Sequence, residues 1–337
     1  PNLPIVWGGW HPSLFQADCL EEKSVDITIT GQGEETFAEV VERLASRDSL
    51  EGCEGTAFRQ NGTITVNPPR PLRKVDSFPE HNYGLIPVER YFLLKGRRQL
   101  DYISSQGCRF RCEFCADPFV YKRGWVGLSP NRIGREITML AAQHHMEEVS
   151  FQDETFFTSA KRVAAISEAF ISANLNISWT ATMRADQGDR MDDALLSGAR
   201  RSGLRRVMIG VESGSQDMLD WMKKDIKIEQ VFISAEKCIR HDIGATFPFI
   251  VGFPGETEES IAATMRLVKE LRRLSPLFDA QIFFYRPYPG TPIAREAERT
   301  GYRMPRTLEE WVDFDYVGTD GSDNLWLNRT QRRMVQR

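Results

Sequence analysis

The stretch Gln106-Gly107-Cys108-Arg109-Phe110-Arg111-Cys112-Glu113-Phe114-Cys115 carries three cysteines in the spacing C-x3-C-x2-C. Thiolates are ligands for soft metals and for iron–sulfur clusters. A structural zinc site takes four protein ligands, and no further cysteine or histidine lies within twenty residues of this stretch. Three thiolates on a four-iron cluster leave one iron open to a small chelating molecule. The spacing therefore favours a [4Fe–4S] cluster on Cys108, Cys112 and Cys115. A zinc site completed by a distant cysteine, such as Cys53 or Cys238, is the alternative.

The cysteine stretch follows the first of six predicted strands, each of which runs into polar, charged or glycine-rich residues. Strands that alternate with helices predict a parallel sheet. The strand ends of a parallel barrel share one mouth, where active sites form. Six units do not close an eight-stranded barrel, so we expect an α/β fold with a partial (β/α)6 barrel of the TIM type over residues 100–295. The strands are predicted at residues 102–104, 148–151, 177–182, 206–211, 245–251 and 280–284.

The first 67 residues are predicted to form a smaller α/β domain. A strand at residues 5–7 ends at Gly8-Gly9, and a second at residues 25–30 ends at Gly31-Gln32-Gly33. Residues 34–45 have the apolar spacing of a helix, and Asn61-Gly62 is typical of a hairpin turn. The remaining segments are predicted to be an ordered, proline-rich linker over residues 68–99 and an incomplete C-terminal extension over residues 296–337.

The overall composition excludes several classes of protein. The chain has 337 residues, of which 41% are hydrophobic and 27% charged, as in ordinary globular proteins. Its net charge of −4 counts against a nucleic-acid-binding surface. No apolar run is long enough to span a membrane. Because the first residues resemble neither a signal peptide nor an initiator methionine, we interpret the N-terminus as truncated and expect a cytoplasmic protein.

The cysteine spacing resembles that of the radical S-adenosylmethionine (SAM) superfamily, and the resemblance extends from Pro1 to about Trp311. It implies that the methionine end of SAM chelates the open iron. One electron from the reduced cluster then splits a carbon–sulfur bond and gives a 5′-deoxyadenosyl radical, which abstracts hydrogen from the substrate. The electron is expected to come from a flavodoxin or ferredoxin. One departure is that Gln106 and Arg109 stand where the family often has arginine and proline.

The resemblance also implies which residues contact SAM. Each match is weak alone, but together they follow successive predicted strand ends in order. The implied contacts are Phe114 beside the adenine, Asp153 and Glu154 at the methionine amino group, Arg184 at the methionine carboxylate, Glu212 and Ser213 near the ribose and methionine, and Gly252 behind the adenine.

The N-terminal residues resemble the last third of a cobalamin-binding domain. The match rests on Trp7-Gly8-Gly9-Trp10-His11 and on Gly31-Gln32-Gly33-Glu34-Glu35. Such domains precede the radical half in a group that includes methyltransferases and anaerobic porphyrin cyclases. The resemblance implies that Gly8 and Gly9 approach the cobalamin nucleotide. The cobalt-binding Asp-x-His-x-x-Gly signature is absent and is expected upstream of Pro1. His11 is predicted to be a turn or surface residue rather than its substitute.

We therefore expect cobalamin-dependent methyl transfer or ring rearrangement on an unactivated carbon of a small molecule, with no catalytic side chain assigned. The alternatives are a cobalamin-independent radical SAM enzyme, such as an oxidative or methylthio-transferring type, and a non-catalytic zinc-binding α/β protein. Three scattered cysteines, Cys19, Cys53 and Cys238, are predicted to be buried and without function. Lys223 and Lys224 are predicted to be solvated.

Overall fold

The computed structural model describes residues 3–60, 62–319, 321 and 324–335. The strands in chain order are β1 Val6–Trp7, β2 Ile27–Ile29, β3 Thr56–Gln60, β4 Thr63–Val66, β5 Gln99–Tyr102, β6 Ser105–Gln106, β7 Val126–Gly127, β8 Glu148–Phe151, β9 Ser178–Arg184, β10 Leu204–Gly210, β11 Gly244–Val251 and β12 Phe278–Phe284.

The helices of the described residues alternate with these strands. In chain order they are α1 Trp10–Leu14, α2 Gln16–Glu21, α3 Glu34–Ser46, α4 Val88–Lys95, α5 Asp117–Val120, α6 Pro130–His144, α7 Ala160–Ser172, α8 Ala185–Arg190, α9 Asp193–Arg201, α10 Gln216–Trp221, α11 Ile228–Arg240, α12 Glu258–Leu274, α13 Pro292–Arg299, α14 Leu308–Val312 and α15 Arg329–Val335. None of them is long and apolar enough to cross a membrane.

The larger sheet is fully parallel and has the order β5-β8-β9-β10-β11-β12. One side chain in two from each strand points outward and is buried under the helices, as Trp179, Val207 and Phe247 show. The six parallel strands predicted from the sequence are therefore confirmed. In the described residues β5 and β12 do not pair, so the sheet is an open barrel.

Some predicted boundaries differ from the structure. The first strand lies at β5 rather than at residues 102–104, because Ile103 is exposed and the Ser104 amide turns to Asp153. A single helix was expected after β9, but α8 and α9 both form there. The Gln187 side chain accepts a hydrogen bond from the Arg184 amide and so begins α8 directly after the strand.

Good caps explain why the barrel helices begin where they do. The Ser129 hydroxyl accepts a hydrogen bond from the Arg132 amide at the start of α6, and Pro130 occupies the first turn. The Thr257 hydroxyl accepts from the Ser260 amide at the start of α12. α12 thus starts a few residues after β11, whereas the long cysteine loop separates β5 from α6.

The N-terminal residues form a separate four-stranded sheet of order β1-β2-β3-β4. β1 and β2 are parallel, as predicted, and β3 and β4 form the predicted hairpin. Asn61 of the predicted turn lies outside the described residues. Val40 of α3 packs on Ile27 and Phe58 to make the core of this unit.

The segment between the two sheets is held firmly against the barrel. The guanidinium of Arg132, which is buried in α6, donates to the carbonyls of Val75, Asp76, Phe78 and Pro79 at 2.6–3.2 Å. The helix α4 within this segment was not predicted. The prolines of the segment precede α4 and leave the helix itself uninterrupted.

Candidate metal centre and strand-end site

The cysteine stretch is a loop clamped between distant parts of the chain. The amide of Glu113 donates to the Met222 carbonyl at 2.9 Å, and the Glu113 carbonyl accepts from the Ile293 amide at 3.3 Å. Gly107 has φ +82°, and a Cβ there would lie 2.4 Å from the Gly124 carbonyl oxygen. Only glycine therefore fits directly before Cys108.

Burial keeps the thiols of Cys108 and Cys115 neutral in the metal-free protein. It raises the pKa of Cys108 to about 11 and that of Cys115 well above its usual range, and the neighbouring cysteines raise both further. Since metal ligands are thiolates, cluster assembly must release these protons. The three side chains are close enough for their charges to interact, and Cys112 is 7% exposed.

The structure does not bring a fourth cysteine to the loop. Among the described residues, no three histidine, cysteine or acidic side chains converge tightly enough for one metal ion. Cys53 lies in the N-terminal core and Cys238 in a helix outside the barrel, so neither completes a zinc site with the loop. Both are buried, as is Cys19, which confirms the burial predicted for these cysteines.

Arg184, at the end of β9, lies against the cysteine loop. Its guanidinium carbon is 3.7 Å from the centroid of the Phe110 ring, and Nη1 donates to Cys112 Sγ at 3.5 Å. Nε donates to Asp186 at 2.8 Å, and Nη2 donates to the Lys224 carbonyl. The guanidinium thus brings a fixed positive charge to the place where a thiolate would form.

Two adjacent carboxyl groups after β8 have different surroundings. Asp153 accepts hydrogen bonds from the Ser104 amide and from the Ser104 and Ser105 hydroxyls, at 2.5–2.7 Å, so it anchors the start of the cysteine loop. Glu154 Oε2 is buried and has no hydrogen-bond partner among the described residues. Burial and the charge of Asp117 raise the pKa of Glu154 to about 8. Of the two, Glu154 is therefore the group available to a ligand.

The end of β10 contains a buried ion pair. Lys224 Nζ lies 2.6 Å from Glu212 Oε1, and Glu212 has the left-handed φ of 68°. Lys224 Nζ is also 6.0 Å from the centroid of the Phe114 ring. The prediction that Lys224 is solvated is wrong, since it is only 6% exposed. The apolar residues Met222 and Ile226, two positions to either side of Lys224, were the signal in the sequence that could have indicated its burial. Lys223, by contrast, is only partly buried.

Ser213 does not face this ion pair. Its hydroxyl lies 3.3 Å from that of Thr264 and accepts a hydrogen bond from the Ser215 amide, so it joins the loop to α12. Gly252 follows β11 with φ +85°, and the Asn324 amide nitrogen donates to its carbonyl at 3.0 Å. The C-terminal segment is thus packed against the fifth strand end.

A cavity of about 330 Å³ opens beside Phe114 and Glu212. Aromatic side chains from β12 and the loops after it line most of the remaining wall, including Phe283, Tyr288 and Tyr316. The site therefore combines charged groups on the β8–β10 side with an aromatic wall on the β12 side.

Gly8 and Gly9 lie in the N-terminal unit, where Gly9 has φ +103° and precedes α1. The N-terminal unit contacts the cysteine stretch instead through the turn Gly31-Gln32-Gly33, which follows β2. Gln32 Nε2 donates to Gln106 Oε1 at 2.7 Å, and Gln106 Nε2 donates to Glu34 Oε1 at 2.5 Å. His11 was predicted to be a turn or surface residue, but it lies in a helix. It is half-buried in α1 and packs between the rings of Trp7 and Trp311.

Comparison with known sequences places these features in a family. The sequence model of the radical SAM superfamily matches residues 102–268. An uncharacterized methyltransferase of Pyrococcus horikoshii is 32% identical over 321 residues, which cover 94% of this chain and 68% of that protein. Anaerobic magnesium-protoporphyrin IX monomethyl ester cyclase of Synechocystis is 28% identical over 228 residues, 67% of this chain and 45% of the cyclase. The chain thus spans about half the length of that cyclase.

Solved structures share the fold. The radical SAM methyltransferase TsrM of Kitasatospora setae, with cobalamin and a [4Fe–4S] cluster bound, superposes with a TM-score of 0.72 at 17% identity. The match covers 90% of this chain and 59% of TsrM. The cobalamin-dependent radical SAM enzyme OxsB, with aqua-cobalamin and SAM bound, gives a TM-score of 0.71 at 18% identity. It covers 88% of this chain and 48% of OxsB.

Proposed function

Because this chain belongs to the radical SAM superfamily, we propose that it holds a [4Fe–4S] cluster on Cys108, Cys112 and Cys115 and cleaves SAM reductively. When bound, the cluster and SAM together supply the radical that abstracts hydrogen from a small-molecule substrate. The observation that carries the proposal is the clamped loop of three thiols with Arg184 fixed against Cys112.

The side chains around the loop have distinct tasks in this proposal. Glu154, whose Oε2 has no hydrogen-bond partner in the described part of the chain, receives the methionine ammonium of SAM. Arg184 and Lys224 supply positive charge for the methionine carboxylate. The sequence predicted Arg184 for this role but not Lys224. Phe114 and the Gly252 turn border the adenine, and Glu212 borders the ribose. Asp153 and Ser213 act indirectly, since their side chains hold the cysteine loop and α12.

We propose further that the intact protein uses cobalamin for methyl transfer or ring rearrangement. The similarity to a methyltransferase and to porphyrin cyclases supports this, as does the match in fold to two cobalamin-dependent enzymes. Gly8 and Gly9 are then the positions where backbone approaches the cobalamin nucleotide. Absorbance spectra of aqua-cobalamin mixed with the full-length protein test this, because binding shifts the corrin bands. Unchanged spectra would contradict it.

A cobalamin-independent radical enzyme is the second candidate. The similarity to tRNA-2-methylthio-N(6)-dimethylallyladenosine synthase of Dichelobacter nodosus, 31% identical over 223 residues, supports the methylthio-transferring type of this candidate. The two candidates share the cluster and differ in the N-terminal unit. If turnover by the full-length protein is the same with and without added cobalamin, this second candidate is favoured.

Anaerobic reconstitution tests the shared part. We expect the protein to take up four irons and four sulfides at the three cysteines and to release 5′-deoxyadenosine from SAM with dithionite as the reductant. We propose that the protein is cytoplasmic. In the cell, a flavodoxin or ferredoxin donates the electron that dithionite supplies in this experiment. Zinc uptake without sulfide would overturn the proposal.

A further inference from the structure

The concave face of the barrel is not filled by side chains. In closed parallel barrels, layers of bulky residues pack the interior. Here Met208, in the middle of β10, is 45% exposed, although it lies between Thr182 of β9 and Thr246 of β11. A cavity of about 530 Å³ remains at the amino-terminal half of the strands.

The wall of this cavity is polar. Hydroxyl groups line it on three of the strands, β8, β9 and β11, from Ser150, Thr180, Thr182 and Thr246. Such a surface is unsuited to a hydrophobic core and well suited to a polar ligand.

The cavity also holds unneutralised positive charge. Four arginines and two acids line it. The acids are already engaged, Glu148 with Arg97 and Asp242 with Arg200. Neither of the other two, Arg205 and Arg206, has a carboxylate partner among the described residues.

Arg206 is held on the inner face of the sheet by neutral groups. Its Nη1 donates to the Ala245 carbonyl at 3.1 Å and to the Thr246 hydroxyl at 3.3 Å. The guanidinium lies over Gly244, where a Cβ would come within 3.2 Å of it. Its Nε and Nη2 make no hydrogen bond to the residues that the structure describes. Partial burial and the charge of Arg200 lower the pKa of Arg205, so a bound anion would stabilise its charged form.

The two arginines lie away from the strand ends, although the cavity itself reaches Gln152, directly after β8. Arg206 precedes Gly210, the last residue of β10, by four positions. At 3.3 Å per residue, the two positions are about 13 Å apart along the strand.

We propose that Arg206 and Arg205 bind an oxyanion of the substrate, a carboxylate or a phosphate, at the amino-terminal half of the barrel. The fork of a guanidinium matches these planar or tetrahedral anions with two parallel hydrogen bonds. The inference rests on the proposed function for the position of the reacting carbon, which lies at the strand ends. The substrate class is then an elongated acidic small molecule, whose anionic group lies roughly 13 Å from the carbon that reacts.

Calorimetric titration with inorganic pyrophosphate tests the site, at low ionic strength and with the strand-end site saturated by SAM. We expect saturable binding by the reconstituted protein. Arg206→Gln and Arg205→Gln should each weaken it about tenfold, the loss expected for a charge-assisted hydrogen bond. Arg201→Gln is the matched control, since Arg201 is an exposed arginine of α9 that does not line the cavity.

No saturable binding by the wild-type protein would overturn the proposal, as would equal affinities for wild type and both cavity variants, or an equal loss in the control. Thermal melts accompany each titration. If Arg206→Gln does not fold, Arg205→Gln decides, because Arg205 is exposed. Release of 5′-deoxyadenosine is measured in the same wild-type sample. Release without pyrophosphate binding overturns the anion site alone, whereas binding without release overturns the proposed function.

Discussion

Lys224 Nζ lies 2.6 Å from Glu212 Oε1, and the two side chains are 7% and 10% exposed. Both charges lose most of their hydration at the end of β10. The attraction between them offsets this desolvation cost. Glu212 also keeps a left-handed backbone, which costs about 1 kcal/mol or more in a residue with a Cβ. Such a cost is maintained only where the surroundings fix the residue in place.

Lys224→Met is therefore expected to destabilise the protein by about 3–5 kcal/mol, because it leaves the Glu212 carboxylate buried without a partner. Urea denaturation followed by circular dichroism measures the change in the free energy of unfolding. The double variant Lys224→Met/Glu212→Gln should recover part of the loss, because no buried charge remains unpaired.

Lys227→Met is the control for this pair. Lys227 lies 3.4 Å from Asp220, and both side chains are more than half exposed. Removal of an exposed pair costs about 1 kcal/mol at most. A loss in Lys224→Met no larger than in Lys227→Met would contradict the buried pair.

Gly252→Ala tests how the C-terminal segment supports the fifth strand end. The new Cβ would lie 2.5 Å from the amide nitrogen of Asn324, so the segment must move. Gly255→Ala is the matched control, since Gly255 also has positive φ but has no atom within 4 Å of its Cβ position. We expect Gly252→Ala to cost about 1–3 kcal/mol more than Gly255→Ala, as overpacking typically does. The midpoints of urea denaturation measure the difference.

Removal of the clash provides an internal check. Asn324→Ala in the Gly252→Ala background should bring the stability closer to that of Asn324→Ala alone. If the effects of the two substitutions simply add, Gly252 and Asn324 are not in contact.

The pKa of Glu154 predicts a pH-dependent stability for the metal-free protein. The folded pKa of about 8 lies above the ordinary value of 4.5, so between these values the native state holds a proton that the unfolded state has released. The contribution of Glu154 to stability therefore falls as the pH rises from about 4.5 to 8 and is constant above that. Glu154→Gln, which cannot ionise, should remove this decline.

Urea denaturation at pH 5, 6.5 and 8 measures the effect. Glu154→Gln should gain stability relative to the wild type as the pH rises. Glu168→Gln, at an exposed position of α7, should follow the wild type at each pH. The same trend in both variants would show that the decline does not come from Glu154.

Local patterns made the barrel predictable. Each strand of the larger sheet has an apolar outward face, and glycine or polar residues mark the strand ends, so the parallel order follows from short-range signals. The cysteine loop was equally clear, because its spacing is contained within ten residues. Trp179 and Phe247, for example, are buried as their positions on the strands require.

The features that were missed depend on contacts between distant residues. Lys224 is buried because it forms an ion pair with Glu212, which is not adjacent in the sequence. Asn324 is a polar residue of the tail, and its importance is visible only once it lies against Gly252. Asp153 and Glu154 are adjacent in sequence, but the serines of the β5–β6 connection bind only the first. No periodicity of the sequence reports such pairings.

The central claim is that the three cysteines hold the cluster that cleaves SAM. The most direct measurement is the yield of 5′-deoxyadenosine from SAM, under anaerobic conditions with dithionite, for reconstituted wild type, Cys112→Ala and Cys238→Ala. Cys238 is a buried cysteine of α11 outside the loop and controls for the loss of a thiol. We predict product from the wild type and Cys238→Ala and none from Cys112→Ala. Product at the wild-type level from Cys112→Ala, or none from the wild type, would contradict the account.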